Sequence, residues 1–251
     1  MILRFNLLTN NKDIKCYDYL EKGKKFYREQ ISKYQNHSNI IKIIDDNGIY
    51  NALDIMNKWF PKTDANVFLS HSHKDIEMVQ YIAGVLLSKG YIPFIDSCYW
   101  GYVDTLLKRL DDKFCLDDAQ KYYNYEKRNG TTTHVHLMLM NRLIETMNDC
   151  EALIFVNSQN STKYNKGGSE KITDSAWIYS ELLVSEFLRG PKDKNINLSK
   201  NISESYNQDI RIHYPVDWSK LVNIGINDLQ ALNSEISWKD MYQKGIKSES
   251  R

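Results

Sequence analysis

The sequence predicts an α/β protein in which a parallel sheet is flanked by helices. Short apolar segments rich in β-forming residues alternate with helical repeats between about residues 66 and 190. Polar residues also collect directly after these apolar segments. Such alternation is typical of doubly wound sheets, whose parallel strands are joined by helical crossovers. Ligands of these sheets bind beyond the carboxyl ends of the strands, which is where the polar residues lie.

The first strand–helix–strand unit is predicted in residues 66–96. An apolar segment over 66–70 ends in a polar loop, and Asp75 is placed to cap the helix that follows. Gly90 is placed to end this helix, because glycine readily adopts a positive φ. The second strand is predicted over 91–96, and Pro93 indicates either an edge position or a late start of the strand, because proline has no N–H to donate to a neighbouring strand.

The later elements continue the same alternation. The strand over residues 152–157 contains an uninterrupted apolar run, which fits a strand covered on both faces. The polar, tyrosine-rich segment 97–130 is interpreted as an insertion between the second strand and the third. The remaining predicted elements are, in order, helices over 103–114 and 133–147, a helix over 175–189 and a fourth strand over 210–214.

The two ends of the chain are predicted to lie outside the main domain. Residues 1–62 are interpreted as an N-terminal helical extension, with helices over 13–34 and 52–60. Because about 60 residues bury little surface, this extension is expected to dock on the rest of the chain. The main domain is predicted over 63–225, followed by a polar, weakly helical C-terminal tail over 226–251.

Composition excludes several classes of function. The 251 residues contain 33 Lys and Arg against 32 Asp and Glu, a net charge of +1, which disfavours a protein that binds nucleic-acid backbones. No apolar run approaches the roughly 20 residues that a membrane helix needs. The first residues become polar too soon for a signal peptide, so we expect a cytoplasmic protein without membrane association.

The four cysteines do not indicate a metal centre or a disulfide framework. They are Cys16, Cys98, Cys115 and Cys150, and no two of them form a Cys-x-x-Cys pair. Zinc ribbons and thioredoxin-type redox sites depend on such pairs. We therefore expect free thiols, most of them packed in the interior.

A histidine-rich loop follows the first predicted strand. His71, His73 and Asp75 resemble the His-x-His-x-Asp-His run of metallo-β-lactamase-type hydrolases, although Ile76 stands where the last histidine would be. Three interpretations stay open: a metal-dependent hydrolase, an anion-binding loop at a helix N-terminus, or a polar connection without chemistry.

A second candidate is the helix that contains Trp177 and Glu181. These two residues are four positions apart and therefore lie on one helical face. Apolar residues surround Glu181 at helical spacing, and a carboxylate in apolar company is costly unless it has a partner or a task. The alternative is a boundary residue whose carboxylate reaches water.

Four segments together resemble a TIR (Toll/interleukin-1 receptor) domain. Residues 66–75 read Asn-Val-Phe-Leu-Ser-His-Ser-His-Lys-Asp and resemble its first strand and loop; residues 91–96 and 152–158 resemble its second and third strands. Residues 175–182, Ser-Ala-Trp-Ile-Tyr-Ser-Glu-Leu, are similar to the Trp-x-x-x-Glu helix of TIR domains that consume NAD+. The match covers about 63–190. With its insertion, the chain looks like bacterial TIR proteins of antiphage systems such as Thoeris.

The resemblance implies an enzyme that cleaves the nicotinamide–ribose bond of NAD+, with Glu181 as the catalytic carboxylate. NAD+ is then a substrate, with no cofactor and no metal. The product would be ADP-ribose, a cyclic isomer or a conjugate. Trp100 or Tyr102 would stack on a base, and Trp177 would form a wall of the site. The substrate-binding residues implied by the match are Ser70, His71, Ser72, Asp96, Ser97, Trp100, Tyr102 and Trp177.

The resemblance also implies partners. They are NAD+, a possible effector protein that responds to the product, and further copies of the chain in an oligomer or filament on activation. Two alternatives remain from the sequence: a non-catalytic TIR interaction module, and the metal-dependent hydrolase that would use His71, His73 and Asp75.

Overall fold

A five-stranded parallel sheet flanked by helices forms the centre of the molecule, which confirms the predicted α/β fold. The computed structural model of the chain describes residues 2–35, 51–117, 119, 121–165, 168, 170–188, 214–215, 217 and 220–249. The strands of the main sheet are β1 (Leu3–Leu8), β2 (Val67–Ser70), β3 (Pro93–Ile95), β4 (Ala152–Asn157) and β8 (Val222–Ile224). Their order across the sheet is β3-β2-β4-β1-β8.

The helices cover the sheet, and a small antiparallel ribbon lies after β4. The ribbon consists of β5 (Lys163–Tyr164), β6 (Lys171–Thr173) and β7 (Tyr214–Pro215). The helices are α1 (Tyr17–Gln35), α2 (Ala52–Trp59), α3 (Ile76–Ser88), α4 (Ser97–Phe114), α5 (Tyr125–Asp149), α6 (Ala176–Ser185), α7 (Ile226–Ala231) and α8 (Trp238–Glu249). No helix in the described part of the chain combines the length and the apolar character that crossing a membrane requires.

The interpretation of residues 1–62 as a helical extension is wrong for its first residues. Strand β1 lies inside the sheet, with Leu7 paired to Val156 of β4 and Phe5 paired to Val222 of β8. Phe5 and Leu7 are fully buried. The predicted helices in this segment are confirmed as α1 and α2. Residues 36–50 lie outside the described part of the chain.

Helix α1 packs closely against α3 through two glycines. A Cβ atom on Gly23 would stand 1.6 Å from the Gln80 carbonyl oxygen, and one on Gly84 would stand 1.7 Å from the Tyr19 carbonyl oxygen. The two backbones approach at a distance that only glycine permits. Residues that precede β2 are therefore an integral part of the fold.

Several local predictions are confirmed. Strand β3 lies at the edge of the sheet and begins at Pro93. Gly90 follows the end of α3 with a φ of 84°. Strand β4 is buried along its whole length, because helices cover both faces of the parallel sheet. The four cysteines are free thiols, and all except Cys16 are buried.

Other boundaries differ from the prediction. Helix α4 begins at Ser97 and α5 at Tyr125, so most of the predicted insertion is helical. The predicted strand over 210–214 lies outside the described residues except for Tyr214, which belongs to the ribbon. The C-terminal segment is helical, as predicted, but it is not a tail outside the domain, because α8 packs on the sheet: Trp238 is 2% exposed and its ring centroid lies 5.4 Å from that of Phe5.

Candidate functional site

Five buried polar residues meet at the carboxyl ends of β2 and β3. The two strands pair in parallel, with Leu69 opposite Ile95, so the residues that follow them emerge at the same edge of the sheet. Helix α6 places a carboxylate beside them, close enough to interact with the residues that follow both strands. We call this group the Glu181 cluster; its members are Ser70, His71, Asp96, Ser97 and Glu181.

A hydrogen-bonded chain links three members of the cluster. The Nδ1 atom of His71 lies 2.9 Å from Oδ1 of Asp96 and 3.1 Å from the carbonyl oxygen of Leu69. Both neighbours are acceptors, so Nδ1 carries a proton. The other ring nitrogen, Nε2, lies 3.0 Å from Oγ of Ser97. Asp96, His71 and Ser97 therefore form a continuous chain of hydrogen bonds, which fixes the orientation of the His71 ring and allows a proton to be shared along the chain.

The charge of His71 is set by opposing effects. Burial lowers the pKa of His71, but the negative charge of Asp96, the hydrogen bonds to Asp96 and Leu69 and the nearby charge of Asp75 raise it, and the net pKa is raised. The surroundings thus favour a positive imidazolium beside the Asp96 carboxylate. Such a pair is stabilised in a buried site because each charge compensates the other.

Glu181 is the least compensated member of the cluster. Its side chain is 0% exposed, and within the described residues neither carboxylate oxygen has a hydrogen-bond partner. Burial raises the pKa of Glu181 well above its ordinary value of 4.5, and the negative charge of Asp96 raises it further; the Ser70 hydroxyl acts in the opposite direction. The interpretation of Glu181 as a boundary residue in contact with water is therefore wrong.

An unpartnered buried carboxyl group is unfavourable for folding. Burying a polar group without hydrogen bonds costs about 1–3 kcal/mol. Such groups are concentrated in sites where a ligand completes the interactions. Ser70 has the same property, because its hydroxyl oxygen is buried without a partner among the described residues. Two adjacent unsatisfied groups mark this edge of the sheet as a candidate ligand site.

Two tryptophans lie next to each other beside the cluster. Trp177 is one helical turn before Glu181 on α6, and its ring centroid lies 4.1 Å from that of Trp100 on α4, with the rings tilted by 62°. Both side chains are half-buried. Their positions fit the predicted wall of the site, with aromatic surface still accessible.

Two other predicted binding residues serve the fold. Tyr102 is buried, and its ring packs edge-on against Phe60 at a centroid distance of 6.1 Å. The interpretation of Tyr102 as a residue that stacks on a base is therefore wrong, because only 7% of the residue is exposed. The hydroxyl of Ser72 accepts a hydrogen bond from the backbone N–H of Lys74 and caps the short turn before α3.

The loop residues that could have formed a metal site have separate partners. The prediction that Asp75 caps α3 is wrong. Its carboxylate instead accepts hydrogen bonds from Ser158 and Asn160. His71 is bound to Asp96, and His73 is exposed. In the part of the chain that the structure describes, no three His, Cys, Asp or Glu side chains are grouped to hold a metal ion. The geometry therefore does not support the metal-site interpretation.

Sequence reasoning missed one residue of the site, Tyr27. Its helix, α1, packs against α4 as well as α3. Burial raises the pKa of Tyr27; its hydrogen bond with Ser97 lowers it, while Cys98 and Asp96 raise it. Tyr27 thus places a hydroxyl close to Ser97, at the end of the Asp96–His71–Ser97 chain. No local pattern could have identified it, because its role depends on how α1 packs.

Comparison of the chain with protein-family models, with curated proteins and with solved structures gave no match. The chemistry of the site therefore has to be inferred from its own residues. Of the predicted site residues, five meet in the Glu181 cluster and two form the tryptophan pair. Ser72 and Tyr102 have structural roles nearby.

Proposed function

We propose that this chain is a TIR-like enzyme that cleaves the nicotinamide–ribose bond of NAD+. The observation that carries the proposal is the fully buried Glu181 carboxyl, without hydrogen-bond partners among the described residues, at the carboxyl edge of a parallel sheet. The ribose hydroxyls of such a substrate would donate hydrogen bonds to the Glu181 carboxylate, and its positively charged pyridinium would compensate the negative charge of that carboxylate. The proposal also draws on the Trp-x-x-x-Glu pattern formed by Trp177 and Glu181.

The reaction breaks the bond between the ribose C1′ atom and the nicotinamide nitrogen. The bonding electron pair leaves with the nicotinamide, which departs as a neutral molecule, so no strong general acid is required. Positive charge develops on the ribose, and an ionised Glu181 held beside it stabilises that charge. The bound pyridinium favours the ionised form of Glu181, because an opposite charge lowers the pKa of a carboxyl group.

The captured product depends on which nucleophile reaches C1′. Water yields ADP-ribose and releases a proton, an internal nitrogen of the dinucleotide yields a cyclic isomer, and a second small molecule yields a conjugate. The tryptophan pair, Trp100 and Trp177, would restrict the access of water to this carbon. The hydrogen-bonded chain from Asp96 through His71 to Ser97 would hold the ribose side of the site in one arrangement.

Incubation with NAD+ tests the proposal. We expect the purified chain to release nicotinamide, measured by chromatography, with no sensitivity to EDTA. Release that EDTA abolishes, and that Glu181→Ala preserves, would favour the metal-dependent hydrolase. No release, even at high protein concentration with a crowding agent to promote assembly, would favour a non-catalytic interaction module.

The pH dependence should follow the raised pKa of Glu181. Because burial and Asp96 stabilise the protonated form, kcat/KM for NAD+ should rise with pH as Glu181 ionises. His71→Asn removes a positive charge from the cluster and should move this rise to higher pH. A profile that stays flat between about pH 5 and about pH 8 would contradict an essential ionised carboxylate with a raised pKa.

Tyr27 should contribute to activity from outside the TIR-like segments. Tyr27→Phe removes the hydroxyl that lies close to Ser97 and should lower kcat/KM about five- to tenfold, the effect expected if this hydroxyl hydrogen-bonds to Ser97 in the substrate complex. Tyr19→Phe is the matched control, because Tyr19 lies on the same helix and packs its ring on Tyr81. Equal kinetics for the two variants would exclude a role of Tyr27 in the site.

The biological setting that we propose follows from the resemblance. The enzyme would act in the cytoplasm, assemble with further copies of itself on activation and produce a nucleotide signal for an effector protein in bacterial antiphage defence. Mass spectrometry of the product would identify the signal. Sedimentation measured with and without NAD+ would detect the assembly, and an unchanged monomer in the active state would contradict it.

A further inference from the structure

A cavity opens at the carboxyl edge of the sheet, beyond β1 and β4. Its volume is about 970 Å³. It shares no residue with the Glu181 cluster, and its floor contains Asp75 and Asn157. Ligand sites in proteins typically measure about 300–1,000 Å³, so the cavity is large enough for a small organic ligand.

The floor of the cavity is rigid and built from buried polar groups. Asp75 is 7% exposed and accepts hydrogen bonds from Oγ of Ser158 at 2.5 Å and from Nδ2 of Asn160 at 2.6 Å. Asn157 is also 7% exposed; it donates to Asn6 and accepts from Thr162, both at 2.9 Å. Because these bonds fix the floor in advance, a ligand would lose little free energy to ordering it.

The rim of the cavity is positively charged. Lys12, Lys163 and Lys171 line it, whereas Asp75 is the acidic residue among the lining groups. Both oxygens of that carboxylate already accept hydrogen bonds; Lys163 also pairs with Asp174, which does not line the cavity, so a phosphate would share this ammonium group with Asp174. A concave surface that concentrates positive charge attracts anionic ligands.

An exposed aromatic ring completes the rim. Tyr164 is 61% exposed on β5, and the ammonium group of Lys171 lies 5.7 Å from the centroid of its ring. The open face of this ring is suited to stacking on a planar heterocycle. The lysine ammonium groups suit phosphates, the amide of Gln159 in the lining suits a hydroxyl group, and the aromatic face suits a base, which are the features that a nucleotide requires.

We infer that this cavity binds a nucleotide, with its phosphates at Lys12, Lys163 and Lys171 and its base at Tyr164. The cavity lies beside the Glu181 cluster: β2 and β4 pair Ser70 with Phe155, two residues before Asn157. The spacing of strands and residues puts about 8 Å between the backbones at Ser70 and Asn157. The bound nucleotide is either the ADP half of NAD+ or a free nucleotide that regulates the enzyme. The first alternative rests on the proposed function.

Calorimetric titration with ADP tests the site. ADP should bind the wild-type chain, and Lys12→Met and Lys163→Met should each weaken its affinity about tenfold, the loss of one favourable charge contact. Tyr164→Ala should weaken it as well. Lys58→Met is the matched control, because Lys58 is exposed on α2, just before β2 and at the opposite edge of the sheet. Circular dichroism checks that every variant is folded.

The possible results are distinct. Failure of ADP to bind, or equal affinities for the wild type and the cavity variants, would overturn the inference. Competition between ADP and NAD+ for the Glu181→Gln chain would identify the cavity as the place of the substrate's ADP half, whereas simultaneous binding would identify a separate regulatory site; both support a nucleotide site. Binding of ADP by a chain that never releases nicotinamide would remove the proposed function and leave the nucleotide site standing.

Discussion

Glu181→Gln is expected to raise the melting temperature of the protein while it abolishes nicotinamide release. In the wild type, both oxygens of the carboxyl are buried without partners in the described part of the structure, and a second carboxylate, Asp96, lies nearby. The wild-type carboxyl can donate to Asp96 only while it is protonated, below its raised pKa, whereas a glutamine of the same shape can donate an amide N–H to Asp96 and accept from Ser70 at every pH. The substitution therefore removes a buried titratable group and satisfies its neighbours.

The expected gain in the free energy of unfolding is about 1–3 kcal/mol, the cost of an unsatisfied buried polar group. For a chain of this length, each 1 kcal/mol corresponds to roughly 2–4 °C in melting temperature. The gain should grow with pH. The folded-state pKa of Glu181 is raised above its ordinary value of 4.5, so the stability of the wild type is fully present below that value and is lost as pH rises through the folded-state pKa.

Glu186→Gln is the matched control on the same helix. Glu186 lies at the end of α6 with its carboxylate paired to Lys220 at 2.7 Å and close to Arg4. Loss of the Glu186–Lys220 ion pair should lower the free energy of unfolding slightly and leave nicotinamide release intact. A Glu181→Gln variant that is less stable than the wild type, measured by calorimetry across pH, would contradict the conclusion that this carboxylate is unfavourable to the fold.

Gly84→Ala and Gly23→Ala should each strongly destabilise the protein. In either case the new methyl group would overlap a backbone carbonyl oxygen of the facing helix, at 1.7 Å or 1.6 Å. A backbone atom cannot move aside as a flexible side chain can, so α1 and α3 would have to separate. Overpacking costs about 1–3 kcal/mol or more, and it exceeds the gain of up to about 1 kcal/mol that alanine brings to a helix interior.

The same substitution at Gly101 or Gly130 is the control for this prediction. Both glycines lie inside helices, in α4 and α5, with no atom within 4 Å of a Cβ at that position. There the helix-forming tendency of alanine acts alone, and stability should rise slightly. Chemical denaturation of the four variants separates the two effects; similar stabilities for Gly84→Ala and Gly101→Ala would show that α1 is not tightly docked.

The docking of α1 also connects stability with function. Because α1 carries Tyr27 to Ser97, separation of α1 from α3 should lower activity as well as stability. Variants at Gly84 or Gly23 that remain folded at low temperature should therefore show kinetics like those of Tyr27→Phe.

The sequence predicted the parts of the fold in which local chemistry determines the structure. The apolar run of β4 requires cover on both faces, Pro93 indicates an edge position or a late strand start, and Gly90 allows the positive φ that ends α3. The Glu181 cluster could also be predicted in outline, because strand ends of a parallel sheet meet at one edge. The complete burial of Glu181 could not be predicted, because the residues beside it in α6 do not indicate which other parts of the chain cover this helix.

The sequence could not predict features that depend on long-range packing. Strand β1 is six residues long and is stabilised by pairing with β4 and β8, which lie far along the chain. Helix α8 has a polar composition overall, and a few large residues attach it to the sheet: Trp238 and Tyr242 pack on Phe5, and Met241 is buried beside them. Asp75 has the residue type and position of a helix cap, but Ser158 and Asn160 compete for its carboxylate from the end of β4.

The most direct test of the catalytic role of Glu181 is the rate of nicotinamide release by folded Glu181→Gln protein, compared with Glu186→Gln and the wild type at equal concentration. We predict release by the wild type and by Glu186→Gln, and a rate at the level of the uncatalysed reaction for Glu181→Gln. Release by Glu181→Gln at the wild-type rate would show that the buried carboxylate does not carry the reaction.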